Sequence, residues 1–169
     1  VFPWLPSCAD TPASRGSASE ETVKTLLDSC ADNLLRLQPE TATSLGVDKD
    51  ERQALRSRLS DRSAAGQQVV AETLRDDLSR ASAVDTAALS RETRASLEVV
   101  KSAYHTALEG FDLPYGDVAV GGWRNTPYVV IQNVGAYLDI PRFLEIEHLV
   151  ANAADAEAWI DSVAVPFLR

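Results

Sequence analysis

The stretch TAALSRETRASLEVVKSAYHTALEG, residues 86–110, decides the fold class. Within it Leu89, Thr93, Leu97, Val100, Tyr104 and Leu108 recur every three or four residues. That is the period of an α-helix with one face against a core, and it predicts a helix over 86–109. Gly110 stands where such a helix stops. Immediately upstream, Leu55, Leu59, Val69, Val70, Leu74 and Leu78 form a second stripe and predict a long helix over 50–82, with Gly66 its one weak point. Two long helices joined by a short link form an antiparallel hairpin.

Further out the pattern stays helical. Val23, Leu26, Leu27, Cys30, Leu34 and Leu37 make a third stripe, with Ser19 placed to cap it and Glu20 and Glu21 in the first turn. Pro39 ends that helix, because its ring excludes the helical hydrogen bond and restrains Gln38. A short helical turn over Thr41 to Leu45 is closed by Gly46. Residues 1–19 are rich in Pro and small polar residues and read as a leader or linker ahead of one helical domain, residues 20–169. Between 115 and 135 glycine and aromatic residues accumulate, and Tyr128-Val129-Val130-Ile131 is β-prone, so a small β/loop excursion interrupts the helices there. Pro141 opens a further helix at its first position, and another starts near Asp155 with Ala156, Trp159, Ile160 and Val163 on one face.

The chain has 169 residues, enough for one core, and carries a formal net charge of −9. That charge opposes phosphate backbones and excludes nucleic acid as an expected partner. Arg52, Arg56, Arg58 and Arg62 alternate with Glu51 and Asp61, which reads as a solvated helix face. No stretch reaches the ~20 apolar residues of a membrane span. Leu5-Pro6-Ser7-Cys8 loosely resembles a bacterial lipobox, so a lipid anchor at Cys8 is the one expected route to a membrane. Cys30 lies on an apolar stripe and reads as a buried free thiol; a Cys8–Cys30 disulfide is the alternative in an exported protein.

No complete catalytic set is visible. Glu145-Ile146-Glu147-His148 is the one tight acid/histidine cluster, but it lacks the second histidine of a zincin helix. His148 therefore reads as a structural or surface group, and the alternative is that it approaches a site. His105 reads as an exposed or hydrogen-bonded helix residue. A nucleophile elbow and a phosphate-binding glycine motif are both missing, and Gly121-Gly122 is a turn. Gln132, Asn133 and Tyr137 gather between the β-prone run and a helix. Amides and a phenol there suit a peptide or carboxylate; the structural alternative is that they satisfy loop backbone.

Three stretches carry a family resemblance. Leu35-Arg36-Leu37-Gln38-Pro39-Glu40-Thr41-Ala42-Thr43-Ser44-Leu45-Gly46 resembles the "P-x-x-A-T-x-L-G" signature of the bacterial family known as domain of unknown function 885. Gln132 to Leu144 resembles that family's "Q-x-x-G-x-x-x-D-x-P-x-x-L" segment. His148 with Asp155-Ala156-Glu157-Ala158-Trp159-Ile160 resembles the stretch that follows, with Trp in place of the usual Tyr. The resemblance implies a mainly α protein, the helical N-terminal portion of a zincin-like metallopeptidase fold several hundred residues long. It also implies export to the periplasm, cell surface or medium, often with a lipoprotein signal. The family's metal-binding helix lies C-terminal to these residues, so zinc is expected in the assembled protein and no ligand falls on this chain.

The expected function is thus the N-terminal segment or subunit of an exported zinc-dependent peptidase or amide hydrolase. Its partner is the C-terminal chain of the same precursor, and its substrate a peptide or amide small molecule. The end of the chain within a helical pattern is read as cleavage, and the stripe Trp159, Ile160, Val163 and Phe167 as the face that meets the partner. The alternative is an exported, non-catalytic helical binding module.

Overall fold

The computed structural model describes residues 12–113, 118, 120, 130, 132 and 135–167. Six α-helices follow one another among them: α1 (Pro12–Leu37), α2 (Pro39–Ser44), α3 (Ala64–Ser82), α4 (Arg91–Phe111), α5 (Ala136–Arg142) and α6 (Ala153–Phe167). A 3₁₀ turn spans Asp50–Leu55 and a π turn spans Phe143–Glu147. No strand occurs among the described residues, and the protein is mainly α. Tyr128, Val129 and Ile131 of the β-prone run lie outside the described residues.

The core is a three-helix layer of α1, α3 and α4. Val23 packs with Ala81, Leu89 and Leu97 in one cluster, and Cys30 with Leu74, Tyr104 and Ala107 in the next. Moving along α1 from Val23 to Cys30 runs backward along α3 and forward along α4, so α3 is antiparallel to both neighbours. The stripe of residues 89–108 is the face that is buried: Leu89, Thr93, Leu97 and Tyr104 are inaccessible or nearly so. Burial of a large apolar side chain is worth about 1.5–3 kcal/mol, which makes this layer the main source of stability.

Several boundaries differ from the sequence reading, each for a local reason. The helix expected over 50–82 is two elements, the 3₁₀ turn and α3. Its break falls where the Ser63 hydroxyl accepts the Gly66 N–H at 3.1 Å and Asp61 Oδ1 accepts the Ser63 N–H at 2.9 Å. A Cβ on Gly66 would stand 2.2 Å from the Asp61 carbonyl oxygen, so the weak point of the stripe is where the chain doubles back over its own helix start. The helix expected from 86 begins at Arg91, because the Ser90 hydroxyl caps the Thr93 N–H at 3.1 Å. It runs through Gly110 to Phe111, and Val118 lies 3.3 Å from where a Gly110 Cβ would be. Residues 12–19, read as linker, form the start of α1, with Pro12 at its first position. Pro141 does not open a helix; it lies inside α5, which starts at Ala136.

Other boundaries agree. Pro39 separates α1 from α2, and α2 ends in a Schellman motif: the Gly46 N–H donates to Thr43 O and the Val47 N–H to Ala42 O, each at 2.9 Å. Gly46 has φ +67°, the left-handed geometry this closure needs. No helix of the described residues is long and apolar enough to cross a membrane.

Candidate functional site

Two centres contain buried polar groups, one beside the π turn and one within the helical layer. The first begins at α2, where the Glu40 carboxylate accepts the Ser60 N–H at 3.0 Å and its hydroxyl at 2.6 Å. Four residues later the Ser44 hydroxyl bonds the Glu147 carboxylate of the π turn. Glu145 and Glu147 belong to a turn whose last bond runs from the His148 N–H to Phe143 O, at 2.7 Å. Such π insertions are frequent at functional sites. This one turns the His148 side chain fully inward.

His148 lies between two aromatic rings, with centroids 5.7 Å from Phe143 and 6.3 Å from Trp159. Its Nε2 is 3.7 Å from Asp155 Oδ1, and neither ring nitrogen has a hydrogen-bond partner. Burial, with the nearby Arg56 guanidinium, holds the imidazole below its ordinary pKa, so it is neutral at neutral pH. Asp155 closes the start of α6 reciprocally: its N–H donates to Asn152 Oδ1 and its Oδ2 accepts the Ala151 N–H, both at 3.0 Å. The Ala151 N–H, and beyond it Arg56, keeps the Asp155 carboxyl below the usual carboxylate range.

Arg56 joins these pieces. It reaches the buried Asp48 carboxylate at 3.3 Å, Asp155 Oδ2 at 3.5 Å and the Leu149 carbonyl at 2.7 Å. The reading of Arg56 as one of a solvated row is therefore corrected: its side chain is 30% exposed and spans to residues far along the chain. Arg52 differs, pairing with Asp32 at 2.6 Å on the surface. An open cavity of about 410 Å³ adjoins the clamp, lined by Gln53, Ala54, Arg56, Ser57, Asp155 and Ala158.

The second centre lies between α1 and α3. Asp77, essentially inaccessible, accepts from Asn33 Nδ2 at 3.1 and 3.0 Å and from Arg80. Cys30 beside it is a buried free thiol, pushed up to about 11 by burial and then by the Asp77 charge, and so unreactive as a thiolate at neutral pH. The Tyr104 hydroxyl donates to the Cys30 carbonyl at 3.4 Å. Every polar group of this centre serves helix packing.

The residues singled out from the sequence are distributed unevenly. Tyr137 and Gln132 come together, the Tyr137 hydroxyl donating to the Gln132 carbonyl at 2.5 Å, on an exposed surface. Gly135 between them has φ +144° and the Tyr137 ring packed 3.2 Å from where a Cβ would be, so glycine is required. Asn133 and Cys8 lie outside the described residues. His105 is exposed and faces Glu109 at 3.5 Å, as the sequence indicates. Trp159, expected on an open face, is instead half-buried against His148. Asp48 and Asp77 were missed, although Asp77 stands three after Leu74 and four before Ala81 on an apolar stripe, which is a readable signal.

A family model described as "Bacterial protein of unknown function (DUF885)" matches residues 39–165. The chain belongs to the DUF885 family. That match takes in α2, the Arg56 clamp, the π turn and His148 of this DUF885 chain. Comparison with curated proteins and with solved structures gives no match. Zinc, which the resemblance implies for the assembled protein, does not fit this cluster. Arg56 stands between the Asp48 and Asp155 carboxylates, and among the described residues no three His, Cys, Asp or Glu side chains converge as a metal shell would require.

Proposed function

We propose that this chain is the helical N-terminal part of an exported zinc-dependent peptidase or amide hydrolase whose metal site lies C-terminal to it. Family membership over residues 39–165 is the observation that carries the reading, joined to the resemblance of that family to zincin-like enzymes. The role of this part is to build and present a surface. The Arg56 clamp holds residues 149–155 against the 3₁₀ turn, and Ile146, Leu149, Val150 and Ile160 are left more than half exposed. Several large apolar side chains so close together mark an interaction face on a soluble domain. The partner assigned to it is the C-terminal remainder of the same precursor. Gln132 and Tyr137, on the exposed segment entering α5, are assigned to contact with a peptide or amide substrate.

Co-expression of this chain with the C-terminal remainder tests the reading. The expected result is a stable complex with stoichiometric zinc that hydrolyses peptide or amide substrates and loses activity to a chelator. In that complex Gln132→Ala and Tyr137→Phe lower turnover more than they lower the melting temperature. A complex that forms but shows neither zinc nor hydrolysis supports a non-catalytic binding module instead.

A further inference from the structure

The imidazole of His148 is the one fully buried titratable ring in the described structure whose nitrogens both lack a hydrogen-bond partner. A neutral ring tolerates that setting between Phe143 and Trp159; an imidazolium, with two N–H donors and a full charge, does not. The charged groups that face it come from each element packed around it. Asp155 lies on α6, Arg56 follows the 3₁₀ turn, and Asp48 precedes that turn, while Glu147 beside it is turned to Ser44 on α2. Asp155 is the nearest carboxylate, but its Oδ2 already serves the Ala151 N–H and Arg56. Drawing Asp155 onto a charged His148 weakens the α6 cap and the clamp together. Leaving it in place keeps Oδ1 at 3.7 Å, beyond hydrogen-bond reach, so the imidazolium N–H groups stay unpartnered in a buried setting.

We propose that the His148 pocket is a low-pH release device, in which proton uptake at His148 detaches residues 148–159 from Arg56 and opens the segment. The segment suits this role. Beyond the ring contact of His148 with Phe143, it is attached through Arg56 to Leu149 O and Asp155, while Leu149 and Val150 are exposed. Segments with few buried apolar contacts open first. The sign follows from the lowered folded-state pKa: the closed form is fully favoured above the ordinary histidine value and loses ground as pH falls below it.

Amide hydrogen exchange on the full chain at pH 7.5 and 5.0, with chemical exchange rates matched, tests the proposal. Protection over 148–156 is expected to fall by roughly tenfold for each pKa unit of difference, with α3 and α4 unchanged. His148→Phe fills the same apolar space without a titrating group, and its protection is expected to be independent of pH in this range. Ring-proton NMR on the wild type, with His105→Gln for assignment, keeps the test open if that variant does not fold. His148 is then expected to titrate below its ordinary value, with segment opening at the same midpoint. Protection insensitive to pH in the wild type, an equal loss in His148→Phe, or His148 titrating at or above about 6.5 overturns the proposal.

Discussion

Asn33 on α1 donates its side-chain amide to both carboxylate oxygens of Asp77 on α3, at 3.1 and 3.0 Å. The pair lies 44 residues apart in sequence and beside the buried Cys30–Tyr104 contact, so it fixes the rotation of α1 about its axis relative to the α3–α4 hairpin. Apolar stripes alone tolerate small rotations; a two-point polar contact in a low-dielectric setting does not.

Replacing Asp77 by Ala removes the acceptor for Asn33 and Arg80 and leaves the amide unpaired in a partly buried site. A loss of about 1–3 kcal/mol is expected, because an abandoned buried donor costs its desolvation. Urea unfolding monitored by circular dichroism measures it. A midpoint equal to that of the wild type would show that the contact contributes nothing net.

Arg56→Ala breaks three contacts at once and leaves Asp48 buried without its cation. The expected global loss is again about 1–3 kcal/mol. Hydrogen exchange should rise most over residues 149–156, where the clamp holds the chain. Arg56→Lys restores only part of this, since a single ammonium does not reproduce the planar fork that spans the Leu149 carbonyl and two carboxylates.

Gly66→Ala places a methyl group against the Asp61 backbone, which has no flexible end to yield. Overpacking of this kind costs about 1–3 kcal/mol. Among the described residues, a Gly110→Ala methyl group meets first the Val118 methyl groups at 3.3 and 3.4 Å and recovers helix propensity, so its melting temperature should change far less. Paired thermal melts of the two variants decide whether backbone approach or helix propensity governs these positions.

Glu20 carries the clearest carboxylate linkage. Its pKa is lowered from 4.5 to about 2 by the Thr93 hydroxyl first, then by the backbone N–H and hydroxyl of Ser90. A depressed folded value means stability present above pH 4.5 and lost as pH falls toward 2. Glu20→Gln is therefore expected to flatten the acid dependence of unfolding in that window, and Thr93→Val to flatten it in part. Acid titrations of the three proteins at fixed denaturant compare the slopes; an unchanged slope in Glu20→Gln would remove the linkage.

Much of the fold was legible before any coordinates. Periodicity marks the apolar face of a helix, so the stripe from Leu89 to Leu108, the stop at Pro39 and the closure at Gly46 were determined by local chemistry, as was the exposed position of His105. The ordered signatures around Pro39, Gly135 and His148 likewise marked the family. The break at 56–63 was not legible from the stripe, because Leu55 and Leu59 keep helical spacing across it, while Glu40, distant in sequence, joins the local Asp61 and Ser63 contacts at the break. The same holds for the candidate site. Sequence spacing says nothing about which polar residue finds a remote partner, and Arg56 reaches Leu149 across 93 residues. Only the packing of α2, the 3₁₀ turn, the π turn and α6 together decided that Arg56 is a clamp and that His148 is sealed between Phe143 and Trp159. A polar side chain's burial depends on what the rest of the chain places over it.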